Sequence, residues 1–126
     1  MELVLKGSTW LRGVCYKDED EPDGDLPATD QAMDGSFEGR RCCLGHLCKL
    51  VGMGDDLLRG KALPSSCSQL KPELKWLTEK DDTGCMQERN YSLVNDDLIT
   101  SDEVKIEELA SMFKAHGIDL VWRPDE

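Results

Sequence analysis

The sequence predicts an α+β fold, with several short helices packed on a few strands in a single domain spanning residues 1–126. Three observations predict it. Apolar residues recur at helical spacing in separate stretches, a period-two apolar run follows the last of these, and no apolar run approaches the roughly twenty residues of a membrane span. A chain of 126 residues suits one hydrophobic core.

Residues 1–17 carry Leu3, Val4, Leu5, Trp10, Leu11, Val14 and Tyr16, broken by Gly7 and Gly13, which suits short strands or a strand and a turn. The start lacks the long apolar stretch of a secretory signal, so a cytosolic location is expected. An acidic loop or insertion is expected over residues 18–38.

Residues 40–51 place Leu44, Leu47, Cys48 and Val51 on one helical stripe. Ser36 or a neighbour is the expected N-cap, and Gly52 stands where a left-handed C-terminal cap is wanted. Residues 55–69 read as a connection. Pro72 fits the first turn of a short helix with Leu70, Leu74 and Leu77 on one face. Asp81-Asp82-Thr83-Gly84 then breaks the chain, and Tyr91, Val94, Asn95 and Leu98 mark a helix near 87–98.

The C-terminal unit opens with Thr100 and Glu103 as a capping box, presents Ile106, Leu109, Ala110 and Phe113 to the core, and stops at Gly117. A strand ending before Pro124 follows, with Ile118, Leu120 and Trp122 at alternate positions.

Net charge is −11 and strongly banded: +2 over residues 1–17, −9 over 18–38, +4 over 39–80 and −8 over 81–126. Such a chain is repelled by phosphate backbones and anionic membranes, which disfavours direct nucleic-acid or membrane binding. A basic protein surface is the expected partner. Asp18, Glu19, Asp20, Glu21, Asp23 and Asp25 are the candidate contact residues, with residues 96–108 as a second acidic stretch. Their alternation with Pro22 and Gly24 does not match a calcium loop.

The chemistry-bearing segment is Arg40-Arg41-Cys42-Cys43-Leu44-Gly45-His46-Leu47-Cys48-Lys49. Cys42 and His46 lie four apart on a helical face, a spacing zinc accepts, but no second ligand pair follows. Cys42, Cys43 or Cys48 beside His46 or His116 is the nucleophile reading. In a reducing compartment most of the six cysteines are expected to be reduced and buried, so neither metal nor resident cofactor is expected. Arg40, Arg41 and Lys49 are an alternative phosphate-binding set, with Trp10 or Trp76 for stacking on a base. Asn95-Asp96-Asp97 lacks a companion motif for acid-base work, and Gly52-Met53-Gly54 lacks the lysine of a phosphate loop.

The run from Arg40 to Cys48, with Asn95-Asp96-Asp97 and then Lys105-Ile106-Glu107-Glu108-Leu109, Phe113 and His116-Gly117-Ile118, resembles a recurrent group of small phage and prophage proteins. These carry a Cys-Cys-Leu-Gly-x-Leu-Cys segment and an Asn-Asp before a terminal helix, and the resemblance covers about the last two thirds of the chain. The acidic insertion and His46, where an aliphatic residue is common, depart from that pattern. A phage setting in a bacterial host cytosol, joined to the acidic surface, leads to the expectation of a non-enzymatic inhibitor of a host defence protein. That protein would be a nucleic-acid-binding complex of the kind met by anti-CRISPR or anti-restriction proteins. The alternatives are a small-ligand-binding protein, such as a nucleotide-signal sponge, and a structural or regulatory phage protein.

Overall fold

The computed structural model describes residues 1–12, 40–59, 61, 63–67, 69–97 and 100–126. It is an α+β fold, as expected. Strand β1 (Glu2–Lys6) leads to helix α1 (Cys43–Leu50), the single turn α2 (Asp55–Leu58) and 3₁₀ segments at Pro64–Ser66 and Pro72–Thr78. Helices α3 (Gln87–Asp96) and α4 (Asp102–Lys114) and strand β2 (Asp119–Arg123) complete it. The acidic residues at 18–38, Gly13, Val14, Cys15, Tyr16 and Leu98 lie outside the described residues. Among the described residues no helix is long and apolar enough to cross a membrane.

The two strands pair in parallel, with Glu2 opposite Asp119, Val4 opposite Val121 and Lys6 opposite Arg123. Parallel pairing of strands from opposite ends of the chain requires the intervening helices to act as one long crossover. Leu3 and Leu5 of β1 are sealed against α1, while β2 lies on α4. The register sets like charges side by side at both ends of the sheet. At one end Glu126 offsets this, reaching Lys6 at 3.7 Å and Arg123 at 3.1 Å.

Helix α1 follows its apolar stripe: Leu44, Leu47 and Cys48 are buried together with Cys43. Its N-cap is Cys42 rather than Ser36, because the Cys42 Sγ accepts the Gly45 N–H at 3.4 Å. Gly52 takes the left-handed conformation at φ 93°. From there the Gly52 N–H reaches the Lys49 carbonyl and the Met53 N–H reaches that of Cys48, both at 3.0 Å. This closure satisfies two orphan carbonyls and turns the buried Met53 into the core.

Helix α4 ends in the same way. Gly117 has φ 74°, the Ile118 N–H donates to the Phe113 carbonyl at 3.1 Å, and Ile118 is buried. Its start differs from the expected capping box: the Ser101 hydroxyl accepts the Val104 N–H at 3.4 Å, while Thr100 donates to Asp97 at 2.6 Å. The inward face is also wider than the stripe from Ile106 to Phe113. Leu109 and Phe113 are buried with Lys105, and Ile106 and Ala110 are half-buried.

The segment after Pro72 is 3₁₀, which stacks Leu74 and Leu77 one above the other at a spacing of three. The connection at 55–69 contains more structure than expected, namely α2 and a 3₁₀ turn. Tyr91 of α3 joins the helical body, its ring 4.5 Å from that of Phe113 and 5.7 Å from that of Trp76.

Candidate functional site

The best-connected polar residue in the described core is Asn95, fully buried in the last turn of α3. Its Oδ1 accepts the Trp10 indole N–H at 2.6 Å and the Cys43 N–H at 3.0 Å, and its Nδ2 donates to the Leu11 carbonyl at 3.0 Å and to Asp96 at 2.9 Å. The orientation of the amide follows from its partners, since an indole and a backbone N–H only donate and a carbonyl only accepts. One side chain therefore fixes the segment after β1, the first turn of α1 and the end of α3. Trp10 is consequently not a stacking surface for a ligand; it is buried and its polar edge is spent on Asn95. The sequence signal was an asparagine on an apolar stripe, a position that favours it only when its amide is satisfied.

Arg12 makes the neighbouring clamp. Its guanidinium pairs with both oxygens of Asp102 at 3.2 and 2.9 Å, donates to the Gly7 and Trp10 carbonyls, and lies 5.1 Å over the Trp10 ring. Two paired oxygens and two carbonyls leave this cation well satisfied. Lys105 is buried nearby, and burial pushes its pKa down against the upward pull of Asp102 and Asp97. Turning Lys105 inward leaves α4 with Glu103, Glu107 and Glu108 exposed on its outer surface.

Of the alternative ligand-binding set, the structure brings Arg41 and Lys49 together. Both reach the same oxygen of Asp55, at 3.0 and 3.1 Å, from opposite ends of α1. The Lys49 hydrogen bond and the Arg41 charge hold the Asp55 carboxyl below the usual carboxylate range. A phosphate would have to compete with that carboxylate. Arg40 is half-buried at the bridge preceding α1. Asp18, Glu19, Asp20, Glu21, Asp23 and Asp25 lie outside the described residues.

Cys42, Cys43, Cys48 and Cys67 sit in the core. Burial raises the Cys42 thiol to about 11 and pushes Cys43 and Cys48 up as well, the direction opposite to that of an activated thiolate. The His46 Nε2 is engaged by the Thr9 carbonyl, to which it donates at 2.8 Å, and burial lowers its pKa. Cys85 is exposed. Among the described residues no three His, Cys, Asp or Glu side chains converge as a metal site. Glu88 is fully buried: one carboxyl oxygen accepts the Ser65 N–H at 3.0 Å and no described residue bonds the other.

A shallow cavity of about 210 Å³ opens between α3 and the end of α4, lined by Asp81, Gln87, Asn90, Tyr91, Met112 and His116. His116 stacks on Trp76 with ring centroids 3.7 Å apart and 10° between planes, and its Nε2 pairs with the Gln87 Oε1 at 2.9 Å. Trp76, a proposed stacking residue, thus already has an aromatic partner. Asp81 is held at about 2 by hydrogen bonds from the Thr83 hydroxyl, Asn90 and backbone N–H groups. Sequence spacing gave no hint of this cavity, whose walls come from residues on three separate segments. Comparison with protein-family models, curated proteins and solved structures finds no match to the chain.

Proposed function

We propose that the chain is a phage-encoded, non-enzymatic inhibitor acting in the bacterial cytosol, which binds a basic surface on a nucleic-acid-binding host defence protein of the type countered by anti-CRISPR or anti-restriction proteins. The observation that carries this reading is the outer surface of α4, where Glu103, Glu107 and Glu108 are exposed while Lys105 is withdrawn into the core. A helix that buries one of its two lysines, Lys105, and displays three carboxylates raises the negative potential on its outer surface, and the sequence carries nine more carboxylates at 18–38. Such a field accelerates encounter with a cationic partner.

Capture of host proteins from lysate, followed by kinetics on the captured partner, tests the reading. Replacing Glu103, Glu107 and Glu108 by Gln is expected to lower the on-rate about tenfold at low salt, with the off-rate changed less. An on-rate insensitive both to these substitutions and to salt would refute it.

The cavity beside Trp76 and His116 supports a second reading, a small-ligand-binding protein. Its volume of about 210 Å³ suits a single ring or a short chain. Native mass spectrometry distinguishes the readings, since a retained small molecule adds its own mass to the protein.

A further inference from the structure

Among the described residues, none pairs with the outer side of strand β2. The Asp119 N–H donates to the Met1 carbonyl at 2.7 Å and the Gly7 N–H donates to the Arg123 carbonyl at 3.0 Å. Odd-numbered residues of β2 therefore turn their main-chain groups toward β1. In a parallel ladder the intervening residues face the other way, so the N–H and C=O of Leu120 and Trp122 point outward, and no described residue bonds them. The residues after β2 curl back toward the turn that follows β1, where the Ser8 N–H donates to the Glu126 carbonyl at 2.8 Å, and so do not cover that side. The outer side of β1 is closed at its end by the turn in which the Lys6 carbonyl accepts the Thr9 and Trp10 N–H groups.

We propose that β2 pairs antiparallel with β2 of a second copy about a two-fold axis at Val121, joining the two sheets into one of four strands. The sequence of the strand, Asp119-Leu120-Val121-Trp122-Arg123, is self-complementary in that register. Asp119 falls opposite Arg123 of the other copy and Val121 opposite itself. Leu120 falls opposite Trp122, and each of those two pairs exchanges two hydrogen bonds through the outward-facing groups. Any register shifted by one residue would put inward-facing groups at the hydrogen-bonded positions.

Charge points the same way. Within one copy Asp119 lies beside Glu2 and Arg123 beside Lys6, like against like. A second β2 supplies the opposite charge at both positions, and Asp119 and Arg123 are both exposed and able to meet it. Such an isologous contact also removes the hazard of an unprotected edge.

Sedimentation velocity across a concentration series tests the proposal. The chain should convert from monomer to dimer. Asp119→Arg, which turns both charge pairs repulsive, should raise the dissociation constant by about tenfold or more. The double reversal Asp119→Arg with Arg123→Asp should return it close to the starting value, and circular dichroism should show all three chains folded. Val121→Cys should form an intermolecular disulfide on mild oxidation, because facing Cα atoms at a non-hydrogen-bonded pair lie about 4.5 Å apart. Leu93→Cys, at an exposed site on α3, and the unmodified chain are the controls. A monomer at every concentration, a dimer indifferent to Asp119→Arg, a double reversal that restores nothing, or equal crosslinking at residue 93 would each overturn the proposal.

Discussion

Replacing Asn95 by Ala should be among the most destabilising changes available outside the apolar core. It removes the acceptor shared by the Trp10 indole and the Cys43 N–H, and the donor to the Leu11 carbonyl. All of these bonds are buried. Each buried polar group left without a partner costs about 1–3 kcal/mol. Three such groups, with partial relaxation because they share one centre, put the loss at about 3–5 kcal/mol. Against a typical total stability of roughly 5–15 kcal/mol this is a large share. Urea unfolding followed by circular dichroism should show the midpoint falling with little change in slope. Trp10→Phe keeps most of the ring and deletes one donor, so it should cost less, and the double variant should fall short of the sum by more than about 0.5 kcal/mol. A loss below about 1 kcal/mol for Asn95→Ala, or strict additivity with Trp10→Phe, would refute the view that this amide holds β1, α1 and α3 together.

Phe113→Ala should cost about 3–5 kcal/mol in the same assay, since the ring is fully buried against Tyr91; an unchanged midpoint would place α4 outside the core. In native protein, iodoacetamide should modify Cys85 well before Cys42, Cys43 or Cys48, whose thiols are buried and raised; mass mapping that finds Cys43 modified first would contradict the structural role of the row. Burial lowers the His46 imidazole below its ordinary value of 6.5, so the unfolded chain binds a proton first on acidification. The associated stability is complete above about 6.5 and declines as pH falls through the folded-state value, and His46→Gln should flatten that part of the stability profile. Asp81, held at about 2 rather than 3.8, should keep its turn ordered until pH falls through about 2, and Asp81→Asn should remove this acid transition from the amide signals of Thr83 and Cys85.

The parts of the fold legible in the sequence were those that depend on neighbours along the chain. The stripe through Leu44, Leu47 and Cys48 identified α1, Gly52 and Gly117 identified two helix ends, and the alternation at Ile118, Leu120 and Trp122 identified β2. Caps were harder because adjacent residues compete for them. Cys42 took the role expected near Ser36, and Ser101 took the one expected of Thr100, each through a single hydrogen bond. The Asn95 hub was illegible for a different reason: two of its partners lie 84 and 85 positions away, and no local pattern encodes them. The burial of Lys105 is similar, since its environment is made by Arg12, Asp97 and Asp102 together. Of the alternative ligand set, spacing along α1 did not reveal that Arg41 and Lys49 share Asp55, which approaches from the next helix.

The parallel pairing of β1 with β2 also governs the order in which the protein is made. Met1 and Gly117, at the start of the ladder, lie 116 positions apart. At a synthesis rate of about 5–20 residues per second, the first strand waits on the order of 6–20 s before its partner has been polymerised. During that interval Leu3 and Leu5 have no sheet to join. Native structure therefore cannot accumulate stepwise from β1 onward, and the sheet closes only after β2 has left the ribosome. Such non-local closure predicts refolding slower than that of helical bundles of similar length. A nascent chain stalled before Asp119 should still be protease-sensitive throughout β1.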